Sequence, residues 1–296
     1  MASIGVIGAG LMGTAITRRL LGAKLDVVAY DVDEARRAAI RQLGARVADS
    51  VHKLASECET IALAVFNTDQ VEQVIEGPGS ILGAIPPHPA DRIVLCTSTC
   101  DPDRLAALAA RVAPSGLHLL EVPISGTSRQ LAEGDGVGLV GGDPAIAGRV
   151  SAVLDAICPR RFSLGAVGNG SRAKLAVNLI LGLNRAAIAE GLVFAEKLGL
   201  DRSAFLEVAR GSAAYSQVMD VKGRLIAERE YRQPQSRVDQ SLKDFKLMLK
   251  QARAAGQSLP FADTYVRMLE DCVHHGEAEW DNAAIGEAIR RQQLDS

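Results

Sequence analysis

Apolar residues fall in short runs in the first half of the chain and in long helical arcs in the second. Short apolar runs at 4–7, 26–30, 60–65, 92–96 and 117–122 suit strands buried on both faces. Weaker strand patterns lie near 137–140 and 161–164. Between them, 12–22, 33–43, 69–76, 102–113 and 144–156 carry apolar positions at helical spacing. Alternating strand and helix predicts a mostly parallel, doubly wound sheet of the Rossmann type. Pro78, Pro86, Pro87 and Pro89 mark a loop-rich crossing before the strand at 92.

The pattern changes after Gly165. Gly165, Gly168 and Gly170 precede a long helix over about 170–198. Its largely apolar part, Ala173 to Leu198, spans 26 positions or about 39 Å. Apolar residues surround most of its circumference, which predicts cover on several sides and a core shared with a second subunit. Beyond it, 202–210, 238–255, 262–275 and 283–293 all read as helices. The expected organisation is an α/β domain at 1–164. An all-helical domain at 165–296 follows, joined to it by the long helix.

The first strand runs into Gly8-Ala9-Gly10-Leu11-Met12-Gly13, and Asp31 closes the second strand 18 positions after Gly13. This G-x-G-x-x-G spacing between strand and helix permits a tight turn, close backbone approach to a pyrophosphate and tight helix packing. The helix starting near Leu11 points its amides and its positive end at phosphates. A carboxylate at Asp31 suits the ribose hydroxyls of NAD and repels the extra phosphate of NADP.

Composition narrows the field. The 296 residues are 48% hydrophobic and 23% charged, which is ordinary for a globular protein. A net charge of −2 gives no electrostatic case for nucleic acid. No uninterrupted apolar run approaches the ~20 residues of a membrane span, and the chain enters its first strand with no room for a signal peptide. Cys58, Cys96, Cys100, Cys158 and Cys272 are odd in number and scattered, as expected of reduced thiols in a cytoplasm. No cysteine or histidine spacing makes a metal site; adjacent His274 and His275 point to different helix faces.

Four further groups could carry chemistry. Ser125 and Gly126 sit where a strand gives way to a helix, so a hydroxyl and backbone amides could seat a carboxylate; an ordinary helix cap is the plainer reading. Lys174 and Asn178 share one face of the long helix. A lysine there is costly to bury without a task or partner, unless it snorkels. Ser98 and Thr99 follow the strand at 92–96, on the edge where open α/β sheets bind ligands, or they lead to a cap at Asp101-Pro102. Lys243-Asp244 lies in the helix 238–255 and by itself resembles a solvated face.

Together and in order, these pieces resemble the β-hydroxyacid dehydrogenase family, which includes 3-hydroxyisobutyrate, L-threonate and tartronate-semialdehyde enzymes. The matching pieces are the N-terminal Gly-Ala-Gly-Leu-Met-Gly, Ser98-Thr99, Pro123-Ile-Ser-Gly126 with Gly134, Gly170-Ser-Arg-Ala-Lys174 with Asn178, and Leu242-Lys-Asp244. The resemblance implies that Lys174 is the catalytic lysine. It assigns Ser125, Gly126 and Asn178 to the substrate carboxylate, with Thr127 beside them. Thr99 would contact the cofactor near its reactive end, and Lys243 would lie by nicotinamide and substrate. Val65, Phe66 and Asn67 would line the adenosine side. Dimers or tetramers are usual in the family.

The chain departs from the family pattern at several positions. Ser125-Gly126-Thr127 replaces the usual Ser-Gly-Gly, and Val177 stands where a first asparagine often precedes Asn178. Cys96 occupies a position that is commonly acidic. Gln217 and Ser236 fall where relatives are often aromatic, which argues for a polar, hydroxylated substrate. Arg129 could add an anion contact or be solvated. The implied reaction is reversible hydride transfer between a β-hydroxy acid and NAD, with Lys174 moving the hydroxyl proton. The positive nicotinamide would lower the pKa of that lysine. Alternatives are an NADP-linked reductase using Arg36 or Arg37, an imine reductase of the same plan (which usually lacks the lysine), and a non-catalytic dinucleotide-binding protein.

Overall fold

The computed structural model describes residues 3–84 and 91–292. Pro86, Pro87 and Pro89, which mark the expected crossing, lie outside the described residues. The chain forms two compact units, residues 1–174 and 175–296.

In the first unit, β1 (Ile4–Ile7), β2 (Val27–Tyr30), β3 (Arg46–Val47), β4 (Thr60–Leu63), β5 (Arg92–Cys96) and β6 (Leu117–Glu121) form one parallel sheet in the order β3-β2-β1-β4-β5-β6. The helices α1 (Leu11–Gly22), α2 (Glu34–Gln42), α3 (Val51–Glu57), α4 (Thr68–Glu76) and α5 (Pro102–Val112) join successive strands. This is the doubly wound order, and its direction reverses between β1 and β4. Successive strand residues serve opposite faces. Val6, Val27 and Ala29 enter one core with Ile16 and Leu20 of α1, whereas Ile7 and Val28 enter another with Leu54, Leu105 and Leu108. Burial on both faces explains why these strands read as continuous apolar runs rather than alternating ones.

The late strands do not extend that sheet. After Pro123 come β7 (Ile124–Ser125), α6 (Ser128–Glu133), β8 (Val137–Val140), α7 (Pro144–Arg149), α8 (Ser151–Ile157) and β9 (Arg160–Ser163). β7, β8 and β9 form their own three-stranded sheet, with β7 antiparallel to β8 and β8 parallel to β9. Pro123 has no amide hydrogen to continue the β6 ladder. The chain therefore bends, and Pro123 O accepts from Leu139 N at 3.0 Å.

α9 runs from Asn169 to Lys197, about 43 Å, and the division between units falls inside it. The second unit continues as α10 (Arg202–Arg210), α11 (Arg224–Glu228), α12 (Val238–Ala254), α13 (Pro260–His274) and α14 (Ile285–Arg291). Its core gathers Leu192, Phe245, Tyr265, Leu269 and Ile285. Gly182 lets α9 approach closely, because a Cβ there would lie 2.3 Å from Phe245 Cζ.

The burial of α9 is uneven. Leu175, Ile188, Ala189, Leu192 and Val193 are buried, whereas Ile180 is 61% and Phe194 63% exposed, so the described residues of this chain leave those sides uncovered. By length and composition α9 is also long and apolar enough to cross a membrane; 33% of its most apolar 18-residue stretch is buried in the protein. Counting uninterrupted runs hid this, because Asn178, Asn184 and Arg185 break the apolar sequence without lowering its average much.

An ion pair lies inside the helical unit. Lys222 Nζ donates to both oxygens of Asp281 at 2.7 Å, and the two side chains are 3% and 0% exposed. Asp281 also accepts from Gln235 N at 2.9 Å and Ala283 N at 3.0 Å. Removing one partner leaves a buried charge alone. Asp281→Ala is therefore expected to cost about 3–5 kcal/mol, read as a fall in denaturation midpoint at constant slope.

Candidate active site

The glycine loop between β1 and α1 is built by close packing. Gly8 has φ +94°, in the left-handed region, and a Cβ there would lie 2.5 Å from Ala64 O. A Cβ on Gly13 would lie 1.8 Å from Gly8 O, so α1 rests directly on the turn. At Gly10 a Cβ would meet only Arg36 Nη1, at 4.0 Å, so this side of the loop is open. No side chain caps α1, whereas Asp33, Asn67 and Asp101 cap α2, α4 and α5. Leu11 and Met12 thus begin a helix whose first amides suit a phosphate. These features fit a dinucleotide.

Asp31, 5% exposed, ends β2 beside this loop. Its Oδ2 accepts from Ala9 N at 2.6 Å and its Oδ1 from Asp33 N at 2.9 Å. The amide of Ala9 is therefore spent on the acid. Arg36 lies 3.7 Å from Asp31 and 3.6 Å from Asp33, and Arg37 is engaged by Asp31 O and Glu34.

Beyond β4 and β5 the loops are tied together. Thr97 Oγ1 donates to Leu63 O and Ser98 Oγ to Val65 O, both at 2.7 Å. Gln70 Oε1 accepts from Phe66 N at 2.8 Å, and Asn67 Oδ1 accepts from Gln70 N at 2.9 Å. Thr99 is half-buried in the β5–α5 loop. Val65, Phe66, Asn67 and Thr99 all follow the carboxyl ends of β4 and β5, next to the G-x-G turn after β1. Cys96 closes β5 with its Sγ 3.8 Å from Cys100 Sγ. The neighbouring thiol and burial both push the Cys96 thiol well up, so it is neutral.

The segment from β6 to α6 meets the start of α9. Lys174 is 7% exposed, and its Nζ donates to Ile124 O at 2.7 Å. Ser125 and Gly126 follow at once, with Gly126 at φ +137°. Thr127 caps α6 in a reciprocal arrangement. Its Oγ1 accepts from Gln130 N at 3.2 Å, while its own amide donates to Gln130 Oε1 at 2.9 Å. The Thr127 amide is thus already used. Arg129 is exposed and paired with Glu133.

In the helical unit, Asn178 Nδ2 donates to Asp244 Oδ2 at 3.1 Å, and Lys243 Nζ lies 2.9 Å from Asp244 Oδ1. One buried carboxylate joins the two residues. Gln217 is exposed and Ser236 half-buried.

Residues 3–165 match the family described as the NAD binding domain of 6-phosphogluconate dehydrogenase. Residues 168–289 match the one described as NAD-binding of NADP-dependent 3-hydroxyisobutyrate dehydrogenase. The chain belongs to the β-hydroxyacid dehydrogenase family. This dehydrogenase is 30% identical over 284 residues to the L-threonate dehydrogenase of Cupriavidus necator, covering 96% of its own length and 94% of the relative. It is 28% identical over 290 residues to the 2-hydroxy-3-oxopropionate reductase of Escherichia coli K12, with 97% and 96% covered. The solved structure of 3-hydroxyisobutyrate dehydrogenase from Salmonella typhimurium superposes with a TM-score of 0.88 at 26% identity, over 97% and 99% of the two chains. The family's two-domain fold and an NAD(P)-dependent oxidoreductase activity follow from these matches.

The sequence pattern gives two acids no role of their own. Asp244 stands in the Lys243-Asp244 pair, and the structure buries its carboxylate between Asn178 and Lys243. Glu121 ends an otherwise apolar strand, a position where a carboxylate needs an internal partner. Its partners are Gly170 and Ser171 at the start of α9.

Proposed function

We propose that this protein oxidises a β-hydroxy acid reversibly with NAD, and that Lys174 moves the proton. One observation carries the reading. A buried lysine holds its ammonium against Ile124 O, one residue before the Ser125-Gly126 turn. A bound nicotinamide supplies the hydride acceptor. Lys174 takes the hydroxyl proton in oxidation and returns it to the carbonyl in reduction. The Ser125 hydroxyl and Gly126 amide are assigned to the substrate carboxylate, with the Thr127 hydroxyl beside them. Asn178 and Lys243, oriented through Asp244, are assigned to the substrate as well, and Lys243 also to the nicotinamide. Thr99, Val65, Phe66 and Asn67 are assigned to the cofactor, with Gly8 to Gly13 and Asp31.

NAD is favoured over NADP because Asp31 is a buried acid at the ribose position, and because Arg36 and Arg37 are both engaged with acids of this chain. Asp31→Ala is expected to lower kcat/KM for NAD about 10- to 100-fold, the worth of a charge-assisted hydrogen bond or two, and to narrow the preference over NADP. Parallel initial rates with the two cofactors check it.

The substrate favoured is polar and hydroxylated, on the strength of Gln217 and Ser236. The test is initial rates with NAD and NADP on 3-hydroxyisobutyrate, 3-hydroxypropionate, L-serine, D-glycerate and L-threonate. Best turnover on the polyhydroxylated acids supports the reading; best turnover on 3-hydroxyisobutyrate removes the polar preference. Residues 165–296 are proposed to serve substrate binding and pairing with a second copy, since Ile180, Phe194, Leu198 and Val208 are exposed. A monomer by light scattering at micromolar concentration sinks the pairing. Five buried free thiols suit a reducing compartment such as the cytoplasm.

A further inference from the structure

Glu121 is the last residue of β6 and is fully buried. Its Oε1 accepts from Gly170 N at 2.7 Å, and its Oε2 accepts from Ser171 N at 3.0 Å and Ser171 Oγ at 2.7 Å. Those amides belong to the first turn of α9, where a helix has no acceptors of its own. The surroundings are moulded to the carboxylate. A Cβ on Gly141 would lie 2.1 Å from Glu121 Oε1, and one on Gly170 would lie 2.4 Å from Leu139 O and 3.0 Å from Glu121 Cδ. The Glu121 backbone is fixed in turn: its amide donates to Gly141 O at 2.9 Å, and its carbonyl accepts from Gly141 N at 3.0 Å. Three residues on, Ile124 O accepts from Lys174 Nζ. One short segment thus grips α9 twice, through a carboxylate at the first turn and a carbonyl at the next.

We propose that Glu121 is the positioning residue for Lys174: its carboxylate seats the first turn of α9 and so delivers the ammonium to Ile124 O beside Ser125. The proposal rests on the reading of Lys174 as the proton-transfer residue.

The experiment is competitive acetic anhydride labelling of Lys174 against pH in the full-length protein, read by peptide mass spectrometry, for wild type, Glu121→Gln and Ser171→Ala. It needs no substrate. Both variants are expected to raise the alkaline plateau rate at least ~threefold, as the seat loosens and Lys174 becomes more accessible. A purely structural carboxylate would lower thermal stability and leave the Lys174 plateau of the folded protein, measured against its other lysines, unmoved. An unchanged plateau in folded Glu121→Gln overturns the proposal. If that variant does not fold, an unchanged plateau in Ser171→Ala overturns it. Turnover by Lys174→Ala is measured separately. Near-normal turnover there removes the lysine's role and reduces Glu121 to a helix cap, whatever the labelling gives. Loss of turnover with unmoved labelling keeps the lysine and removes Glu121.

Discussion

Lys174→Ala is expected to lower kcat by about 10²- to 10⁴-fold, the range for losing a positioned proton-transfer group, while NADH binding stays within about twofold of wild type. The alanine removes an ammonium held 2.7 Å from Ile124 O. The glycine loop and Asp31 remain intact, since their contacts are with Ala64, Ala9 and Asp33. Lys174→Arg is expected to fail nearly as badly, because a guanidinium keeps its proton at any working pH. Pre-steady-state rates with the best acid of the panel, alongside NADH fluorescence titration, separate chemistry from binding. Retention of more than about a tenth of wild-type kcat by Lys174→Ala would remove the lysine from the central role.

The second large effect concerns the nucleotide loop, and two glycines give opposite outcomes. In Gly13→Ala the new Cβ lands 1.8 Å from Gly8 O and 2.8 Å from Gly8 C. Neither is the movable end of a side chain, so α1 must lift off the turn. The expected cost is about 1–3 kcal/mol or more of stability, together with at least ~100-fold weaker NADH binding, since the amides of Leu11 and Met12 move with the helix. Gly10→Ala meets no protein atom closer than 4.0 Å. It is expected to leave the melting temperature within about two degrees and to weaken NADH at least ~tenfold, because the methyl occupies the path of a phosphate. Thermal unfolding and calorimetric titration of both variants check this. If Gly10→Ala binds NADH normally, the loop does not hold the pyrophosphate.

The contrast between these glycines bears on how much could be read in advance. Spacing alone marks Gly8, Gly10 and Gly13 as one motif. Which glycine is needed by the fold and which by the ligand depends on the atoms opposite each, here Ala64, Gly8 O and open space. Ser125 and Thr127 show the same division. Both were legible as residues at a strand-to-helix junction. That the Thr127 amide is spent on Gln130 while Lys174 reaches back to Ile124 O follows from how the chain turns after Pro123.

Local periodicity and spacing determined the alternation of strands and helices, the glycine turn between β1 and α1, and the switch to helices after Gly165. Each of these depends on neighbours within a few residues, and the spacing of apolar and glycine positions records such neighbours directly. The tertiary structure alone decided the rest. It put β7, β8 and β9 in a separate sheet, left Ile180 and Phe194 of α9 exposed, and joined Lys222 to Asp281 across 59 positions. It also brought Glu121 to Gly170 and Ser171, and Asp244 to Asn178, across 49, 50 and 66 positions. Buried polar groups must be satisfied, but which distant donor satisfies each one is set by the packing of whole elements, and no local pattern encodes that.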